Sequence, residues 1–298
     1  MNKSLFDNTE VAFKMKKNFH LYNAIFLFNI ITKKILVGIL TNLTIMMLKF
    51  RLPIKWILKG TIYKHFCGGI DIAECKKIIS DMYKMNVCSI LDYSVEGLSN
   101  ENSFNNSCEK KIKIIDIVSE NDAVPFAVFK PTSIGRYELF KAVSDGKKLL
   151  KDEEVEWSNV VTRFHKICNH ALINKTKILI DAEEYEVQKA IDELALEMMK
   201  SYNEEYVIVY NTIQLYRWDR IDYLKKLFKD YSKSKFSFGF KLVRGAYMEK
   251  ERKRAEEHGY PSPIQDSKAQ TDKAFNDAIR FCVEHYEQIA LCNATHNM

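Results

Sequence analysis

Two cationic side chains lie in or directly after the apolar stretch FGFKLV, which otherwise has the character of a buried β-strand. Successive side chains of a strand point to opposite faces, so Lys241 and Val243 share one face and Leu242 lies on the other. Gly245 permits a sharp exit from the strand or the close approach of a flat ligand, and Arg244 can then turn toward the face of Lys241. Because a buried cation requires a partner, the segment predicts a site for an anionic or electron-rich ligand.

Polar side chains also close the other short apolar runs of the chain. Helical, charged stretches such as 184–202 and 220–233 lie between these runs. The runs are VCSILD (87–92), PFAVFK (125–130), KILID (177–181), YVIVYN (206–211), FGFKLV (238–243) and IALCNA (289–294). The polar residues at or just beyond their ends are Asp92, Lys130, Asp181, Asn211 with Gln214, Lys241 with Arg244, and Asn293 with Thr295 and His296.

The alternation of apolar runs and amphipathic stretches predicts parallel strands connected by helices. No GxGxxG follows the first run, so the dinucleotide fingerprint of an open α/β sheet is absent from the sequence. Polar groups at the strand ends favour a (β/α)8 TIM-type barrel, whose active site is built from the carboxyl ends of the strands. We therefore predict an N-terminal helical region over 1–66 and a barrel over 67–298. The barrel is incomplete, because about six strand–helix units are recognisable.

Several of these polar residues also have purely structural interpretations. Lys130 could hold an anion or a substrate group at the barrel mouth, or reach solvent beside the turn set by Pro131. Asp181 is followed three residues later by Glu184, a pattern similar to a capping box, so it could cap a helix, serve the site, or do both. Each of these interpretations stays open on the sequence alone.

The amide and imidazole side chains are weaker signals. Gln214 and Asn211 could hydrogen-bond a planar heterocycle, although turn polarity alone would explain Asn211. A single histidine such as His296 near a strand end is more often structural than a ligand. No second histidine or cysteine is placed to complete a metal site, so no metal is expected. The sequence also holds no GxSxG motif and no plausible Cys–His pair for a covalent nucleophile.

The overall composition excludes few classes of function or partner. The formal net charge is +6 with both signs interspersed, which does not require a nucleic-acid partner but is compatible with an anionic membrane surface. The seven cysteines form no CxxC pair, which is typical of a reducing compartment. The apolar stretch 35–48 is shorter than the roughly 20 residues of a membrane span. It is flanked by lysines, so it is either a buried core or docking helix or a membrane-associated helix.

The segment from FGFKLVRGAYMEKERKRAEEHGY onward, together with the terminal ATHN, resembles the proline dehydrogenase family. The motifs VCSILDYSVEG, FAVFKPTSIG, ILIDAEE and VYNTIQLY match the same family in the same order. The resemblance runs from about residue 60 to the end of the sequence. It implies a distorted (β/α)8 barrel that holds FAD across the strand ends and oxidises L-proline to Δ1-pyrroline-5-carboxylate, passing electrons to a quinone.

The resemblance also implies roles for individual residues. Lys130 resembles the family lysine near the substrate, and Asp181 resembles the aspartate that pairs with it. Leu242 and Tyr247 match residues beside the proline ring. The residues matching flavin contacts are Gln214, Lys241, Val243, Arg244, Gly245, Ala246, Thr295, His296 and Asn297.

One departure from the family pattern matters. The family ends in a helix with paired arginines that hold the substrate carboxylate, and no Arg–Arg pair occurs in this sequence. We therefore expect a C-terminally truncated member. It could be the N-terminal part of a working proline dehydrogenase, a non-catalytic flavin-binding fragment, or a hydroxyproline dehydrogenase. Because the family passes electrons to a quinone, we also expect peripheral association with a membrane. The expected location is cytoplasmic or at the inner face of the membrane in a bacterium, and on the matrix side in a mitochondrion.

Overall fold

The computed structural model of the protein describes residues 8–69, 72–92 and 100–296. Contacts within the chain divide it into two compact units, Met1–Asp81 and Met82–Met298. The boundary between a helical region over 1–66 and a barrel over 67–298 stays a prediction.

The first unit is helical, and its described residues contain no strand. Helix α3 buries none of its residues, and Ile35 is 83% exposed. The interpretation of 35–48 as a buried core helix is therefore wrong. The helices that begin in this unit are α1 (Thr9–Ala12), α2 (Asn18–Ile31), α3 (Lys34–Lys49), α4 (Lys55–Leu58), the π-helix Lys59–Tyr63, α5 (Lys64–Phe66) and α6 (Ile72–Tyr83).

The length of these helices bears on membrane crossing. Within the described residues, no helix on its own has both the length and the apolar composition of a span. Helices α2 and α3 together meet both criteria, although they are bent by 101° at the break between them.

The second unit is a parallel α/β structure. Its described residues form six strands that pair in chain order, every neighbour parallel, which confirms the predicted fold class and the prediction of about six strand–helix units. The strands are β1 (Leu91–Asp92), β2 (Phe126–Phe129), β3 (Lys177–Ile180), β4 (Val209–Gln214), β5 (Phe238–Val243) and β6 (Ile289–Asn293). The helices between them are α7 (Glu101–Ser119), the 3-10 helix Pro131–Ser133, α8 (Tyr137–Ser144), α9 (Lys151–Ile173), α10 (Tyr185–Tyr202), α11 (Arg220–Tyr231), α12 (Met248–His258) and α13 (Lys268–Glu284).

Helix α10 illustrates how the helices cover the sheet. Its apolar residues recur every three or four positions, so they fall on one face of the helix. That face includes Val187, Ile191, Leu194 and Met198, all at most 3% exposed. Burial of each such side chain contributes about 1.5–3 kcal/mol, which is why amphipathic sequence becomes a helix layer against the strands.

The strand register arranges inward-facing residues in layers. Register pairs join Val128 to Leu179 and Gly239 to Ala290, and the inward-facing Tyr210 lies between them in an apolar layer. Two residues further along the strands, Thr212 pairs with Lys241 and Lys241 with Cys292. The same register continued to the ends of β2 and β3 adds Lys130 and Asp181 to this second layer. A polar layer thus lies directly above an apolar one.

Strand β4 begins at Val209, three residues later than the predicted run 206–211, because a buried asparagine holds the preceding loop. The Asn203 Oδ1 accepts hydrogen bonds from the N–H groups of Ile208 and Val209, at 3.0 and 2.8 Å. Its Nδ2 donates to the carbonyls of Val209 and Ser237, at 2.9 and 3.1 Å. The later start places Gln214 on the strand rather than in a turn.

We predict that Asn203→Ala destabilises the fold, because it removes four hydrogen bonds and leaves buried backbone groups unsatisfied. The free energy of unfolding should fall by about 3 kcal/mol. Chemical denaturation followed by circular dichroism measures this loss. The exposed Asn276→Ala on α13 is the control and should change the midpoint little. Equal midpoints for the two variants would show that the Asn203 network is dispensable.

Candidate functional site

The carboxyl ends of β2 to β6 surround a single cleft of about 320 Å³. This volume lies at the small end of the range for small-molecule sites. Most of the residues that line the cleft were predicted from the sequence. They are Lys130, Asp181, Gln214, Lys241, Val243, Arg244, Gly245, Ala246, Tyr247, Thr295 and His296. The other lining residues are Ala182, Thr212 and Ala294.

A carboxylate between two lysines is the centre of the cleft. The Lys241 Nζ donates to Asp181 Oδ1 at 2.7 Å, and the Lys130 Nζ lies 3.7 Å from Asp181 Oδ2. All three side chains are at most 22% exposed, so little water screens them. Helix α10 begins only at Tyr185, with Glu184 at its N-cap position. Asp181 therefore does not cap the helix, and its carboxylate lines the cleft, while its role in a site stays a prediction.

Lys130 is held in its charged form by its neighbours. Burial alone would lower the pKa of its ammonium group, but the nearby Tyr247, Asp181 and Glu183 together raise that pKa above its ordinary value. The Lys130 Nζ also donates to the Tyr247 hydroxyl at 3.4 Å. Burial raises the pKa of Tyr247 in turn, so its phenol stays protonated. At neutral pH this corner of the cleft offers hydrogen-bond donors rather than a base.

Arg244 lies on the opposite side of the cleft from Lys130 in the strand order and is fixed by three contacts. Its Nε donates to Asp272 Oδ1 and its Nη1 to Thr295 Oγ1, each at 2.6 Å. Its guanidinium carbon lies 4.4 Å from the centre of the Phe275 ring. Side-chain hydrogen bonds from Lys268 and Arg244 hold the pKa of Asp272 below its ordinary value. These contacts hold the guanidinium at the mouth of the cleft, just after the end of β5. This agrees with the expectation that Gly245 lets the chain turn sharply out of the strand.

Both the backbone conformation and the packing at position 245 require a glycine. Its φ is +137°, a conformation that residues with a side chain rarely adopt. A Cβ at this position would lie 2.5 Å from the ring of Tyr216, which packs beneath the segment. The Tyr216 N–H donates to the Arg244 carbonyl at 2.7 Å, so the same residue supports the segment by its backbone and its ring.

Gln214 presents a half-satisfied amide to the cleft. Its Nε2 donates to the main-chain carbonyl of Glu183 at 3.0 Å, which fixes the orientation of the amide plane. Its Oε1 is buried and has no hydrogen-bond partner among the described residues. A carbonyl oxygen in this state is suited to accept a hydrogen bond from a ligand.

Four sequence-predicted residues within the described part of the chain are not brought into the cleft: Leu242, Asn211, Asp92 and Asn293. Leu242 is fully buried on the other face of β5, the outcome expected from the strand alternation itself. Asn211 also faces the helix layer, where its Nδ2 donates to Asp192 Oδ1 at 2.9 Å, so turn polarity does not explain it. Asp92 does not line the cleft. Asn297 lies outside the described residues.

Sequence reasoning missed Thr212 and Glu183. Thr212 lines the cleft in the same layer as Lys241, and its position two residues before Gln214 on one strand face was a usable signal. Glu183 is 7% exposed and accepts two hydrogen bonds from Thr132. Its sequence context, a run of acidic residues before a helix, gives no indication of burial.

We predict that Gly245→Ala lowers the free energy of unfolding more than a glycine substitution whose only cost is backbone strain. Gly146 also has positive φ, +68°, but a Cβ there would meet nothing within 4 Å. Gly146→Ala should cost about 1–2 kcal/mol of unfolding free energy. Gly245→Ala should cost about 2–5 kcal/mol, because the clash with Tyr216 adds to the strain. Denaturation curves of both variants measure the difference, and equal losses would contradict the assigned packing.

The fold and the cleft define a barrel-type α/β protein with its binding site at the carboxyl ends of parallel strands. Comparison with known proteins identifies the family to which this chain belongs. The sequence matches the family model described as Proline dehydrogenase over residues 75–298, and the chain belongs to that family.

Curated relatives agree with this assignment. "Carbapenem antibiotics biosynthesis protein CarD" of Pectobacterium carotovorum subsp. carotovorum is 30% identical over 78% of this chain and 61% of its own length. "Proline dehydrogenase 2, mitochondrial" of Arabidopsis thaliana is 30% identical over 81% of this chain and 60% of its own length. The chain thus spans about three fifths of these relatives.

Solved structures show the same fold. The crystal structure of proline utilization A (PutA) from Bdellovibrio bacteriovorus, inactivated by N-propargylglycine, superposes with a TM-score of 0.70. The match covers 82% of this chain and 26% of that one at 20% identity. The PutA of Corynebacterium freiburgense gives a TM-score of 0.60 over 80% of this chain and 24% of its own, at 18% identity. The TIM-type assignment is therefore confirmed at the level of the fold.

Proposed function

We propose that this chain supplies the cofactor-holding and substrate-facing strand ends of a flavin-dependent enzyme that oxidises L-proline to Δ1-pyrroline-5-carboxylate. Electrons then pass to a quinone. The observation that carries the proposal is the convergence of Lys130, Asp181 and Lys241 in one cleft, with Gln214 and Arg244 at its rim. Membership of the proline dehydrogenase family supports the same reading of the cleft.

The described residues fit a flavin as the cofactor. The unpartnered Gln214 Oε1 could accept a hydrogen bond, while Lys241 and Arg244 supply positive charge to an electron-rich ring. Gly245 and Ala246 keep bulky side chains away from one side of the cleft. Thr295 and His296, with Asn297 beyond them, are further candidates to hold FAD. When bound, the isoalloxazine ring would take up the two electrons that leave the substrate carbon.

The chain's own residues would bind and orient rather than exchange protons. Lys130 and Tyr247 both have raised pKa values, so at neutral pH they remain protonated and can donate hydrogen bonds to a substrate. Asp181 lies between the two lysines and offsets part of their mutual repulsion. The Lys241 ammonium group lines the cleft, where a cation would favour the build-up of negative charge on the ring.

The direct test is the absorbance spectrum of the purified 298-residue protein incubated with FAD. We expect a bound flavin band that bleaches on anaerobic addition of L-proline, with proline-dependent reduction of a quinone-like dye. In Lys241→Ala we expect weaker flavin retention or flavin reduction slowed about tenfold to a thousandfold, the usual range for loss of one stabilising group. The exposed Lys233→Ala is the control.

Two results would count against this assignment. A protein that holds no flavin and reduces no dye with proline contradicts the proposed activity of the chain, leaving a non-catalytic fragment. Unchanged flavin content and kinetics in Lys241→Ala contradict the role of that residue alone.

A hydroxylated substrate is the second candidate. "Hydroxyproline dehydrogenase" of Xenopus laevis is 25% identical over 76% of this chain. The ratio of kcat/KM for L-proline and 4-hydroxyproline decides between the two, and a ratio below one favours hydroxyproline.

A peripheral membrane contact is proposed for the first unit. Residues 11–70 contain ten lysines and arginines and no aspartate or glutamate. Apolar side chains are exposed on the same helices, among them Phe19, Tyr22 and Phe26 on α2 and Ile35 on α3. Exposed apolar groups combined with cations are typical of helices that lie in the headgroup region of anionic bilayers.

We predict that the protein floats with vesicles that contain anionic lipid and not with purely zwitterionic ones. The double variant K33E/K34E should reduce the bound fraction at least about tenfold, since each lysine contributes about 1 kcal/mol near such a surface. K229E/K233E carries the same charge change on and after α11, far along the sequence from these helices, and should bind as the parent does. Protein that stays unbound on every vesicle, or equal loss in both variants, would refute the contact.

A further inference from the structure

Glu183 carries a buried carboxylate that has no role in the proposed activity. It lies two residues after Asp181, beyond the end of β3, and is 7% exposed. Its Oε1 accepts the N–H of Thr132 at 2.8 Å, and its Oε2 accepts the Thr132 hydroxyl at 2.6 Å. Both oxygens are thus engaged with one residue of the neighbouring strand end. A buried carboxylate is costly unless it is hydrogen-bonded, so this bidentate contact needs an explanation.

Thr132 belongs to the turn that carries Lys130. The Lys130 carbonyl accepts hydrogen bonds from the N–H and the hydroxyl of Ser133, at 3.0 and 2.6 Å. On the other side, the Asp181 N–H donates to the Phe129 carbonyl at 3.0 Å. The backbone of Lys130 is therefore fixed before and after the residue, and Glu183 anchors the turn from outside.

The same glutamate is tied to the cofactor side of the cleft. Its main-chain carbonyl accepts the Gln214 amide at 3.0 Å, and its main-chain N–H donates to Gln188 Oε1 at 2.8 Å. Glu183 thus connects the ends of β2, β3 and β4. Movement of its side chain would change the position of the Lys130 turn relative to Gln214.

We propose that Glu183 is a positioning residue for Lys130: by clamping Thr132 it holds the lysine beside Asp181 and within hydrogen-bond reach of Tyr247. The catalytic meaning of this clamp rests on the proposed proline oxidation, whereas the clamp itself does not. The described residues show no ion pair between Glu183 and Lys130, so the direct effect of the carboxylate on the lysine is limited to its share in raising the Lys130 pKa. The position of the lysine is set through the turn, by the two hydrogen bonds from Thr132.

Two substitutions separate geometry from charge. Glu183→Gln keeps an acceptor for the Thr132 N–H and removes the charge, while Glu183→Ala removes both. Thr132→Val removes only the contact of the hydroxyl and keeps a side chain of similar volume. The exposed Glu193→Gln on α10 is the control for loss of one negative charge.

The first readout is the labelling of lysines by an amine-reactive acetylating reagent, followed by peptide mass spectrometry. The rate at Lys130 is divided by the rate at the exposed Lys233 in the same sample, because Lys233 follows α11 and lies outside the cleft. In Glu183→Ala we expect the ratio to rise about tenfold, because Lys130 loses both a negative neighbour that raises its pKa and the turn geometry that holds it beside Asp181. Glu193→Gln should keep the parent ratio. Glu183→Gln, which loses only the charge, and Thr132→Val, which loses only the hydroxyl contact, should each raise it by a smaller factor than Glu183→Ala.

The second readout is steady-state oxidation of L-proline by the FAD-loaded protein. We expect kcat to fall on the order of 100-fold in Glu183→Ala, the loss that a displacement of about 1 Å can cause. Glu183→Gln should restore kcat to near the parent value.

An unchanged labelling ratio in Glu183→Ala overturns the inference, and so does a Glu183→Gln variant that behaves like Glu183→Ala. If Glu183→Ala does not fold, Thr132→Val decides, and an unchanged ratio there overturns the inference. A parent protein without proline oxidation contradicts the proposed function, while the labelling ratio still tests the clamp.

Discussion

The position of one carboxylate between two ammonium groups is the constraint on which the cleft depends. Lys130 and Lys241 come from strands separated by two others, and their charges would repel if both faced the barrel mouth without a counterion. Asp181, from the strand beside β2, supplies that counterion at 2.7 Å from one lysine and 3.7 Å from the other. Buried charge of this kind is tolerated only with close pairing and further hydrogen bonds. Moving any of the three strands by one residue would turn its charge to the helix layer.

The surrounding elements hold Lys130, Asp181 and Lys241 in position. Tyr216 packs under Gly245 and binds the Arg244 backbone, so the segment after β5 must turn where it does. Helix α12 then follows directly and is tied to α10 by its own ion pairs, including Lys250 to Glu184 at 2.6 Å. Its buried Glu251 accepts the Tyr185 N–H at 2.7 Å, at the amino end of α10 where negative charge is favoured. The mouth is therefore surrounded by side chains that hold strand ends and helix starts in register.

Much of this arrangement could be predicted from the sequence, because strand alternation and parallel pairing are local rules. The six strands, the fold class and most residues of the cleft follow from them. Partnerships across the chain do not: whether Asp181 caps a helix or pairs with Lys241, 60 residues away, is decided only when the strands are adjacent. The late start of β4 depends on Asn203, a residue outside the run that it shifts. Glu183 was missed for the same reason, since its hydrogen-bond partner Thr132 lies in the turn after β2, 51 residues away along the chain.

The apolar layer beneath the cleft has a consequence for access. Val128, Leu179 and Tyr210 form a closely packed floor under the charged layer, and burial raises the pKa of the Tyr210 phenol to about 12. Among the described residues, this floor is apolar apart from the Tyr210 phenol and the partly buried Cys292, so a proton would find few groups there to carry it. The polar side chains of the layer above, including both lysines and Asp181, line the cleft at the carboxyl ends of the strands. A molecule bound in the cleft would therefore cover the polar side of this boundary, and its shape would set how much water reaches the charged layer.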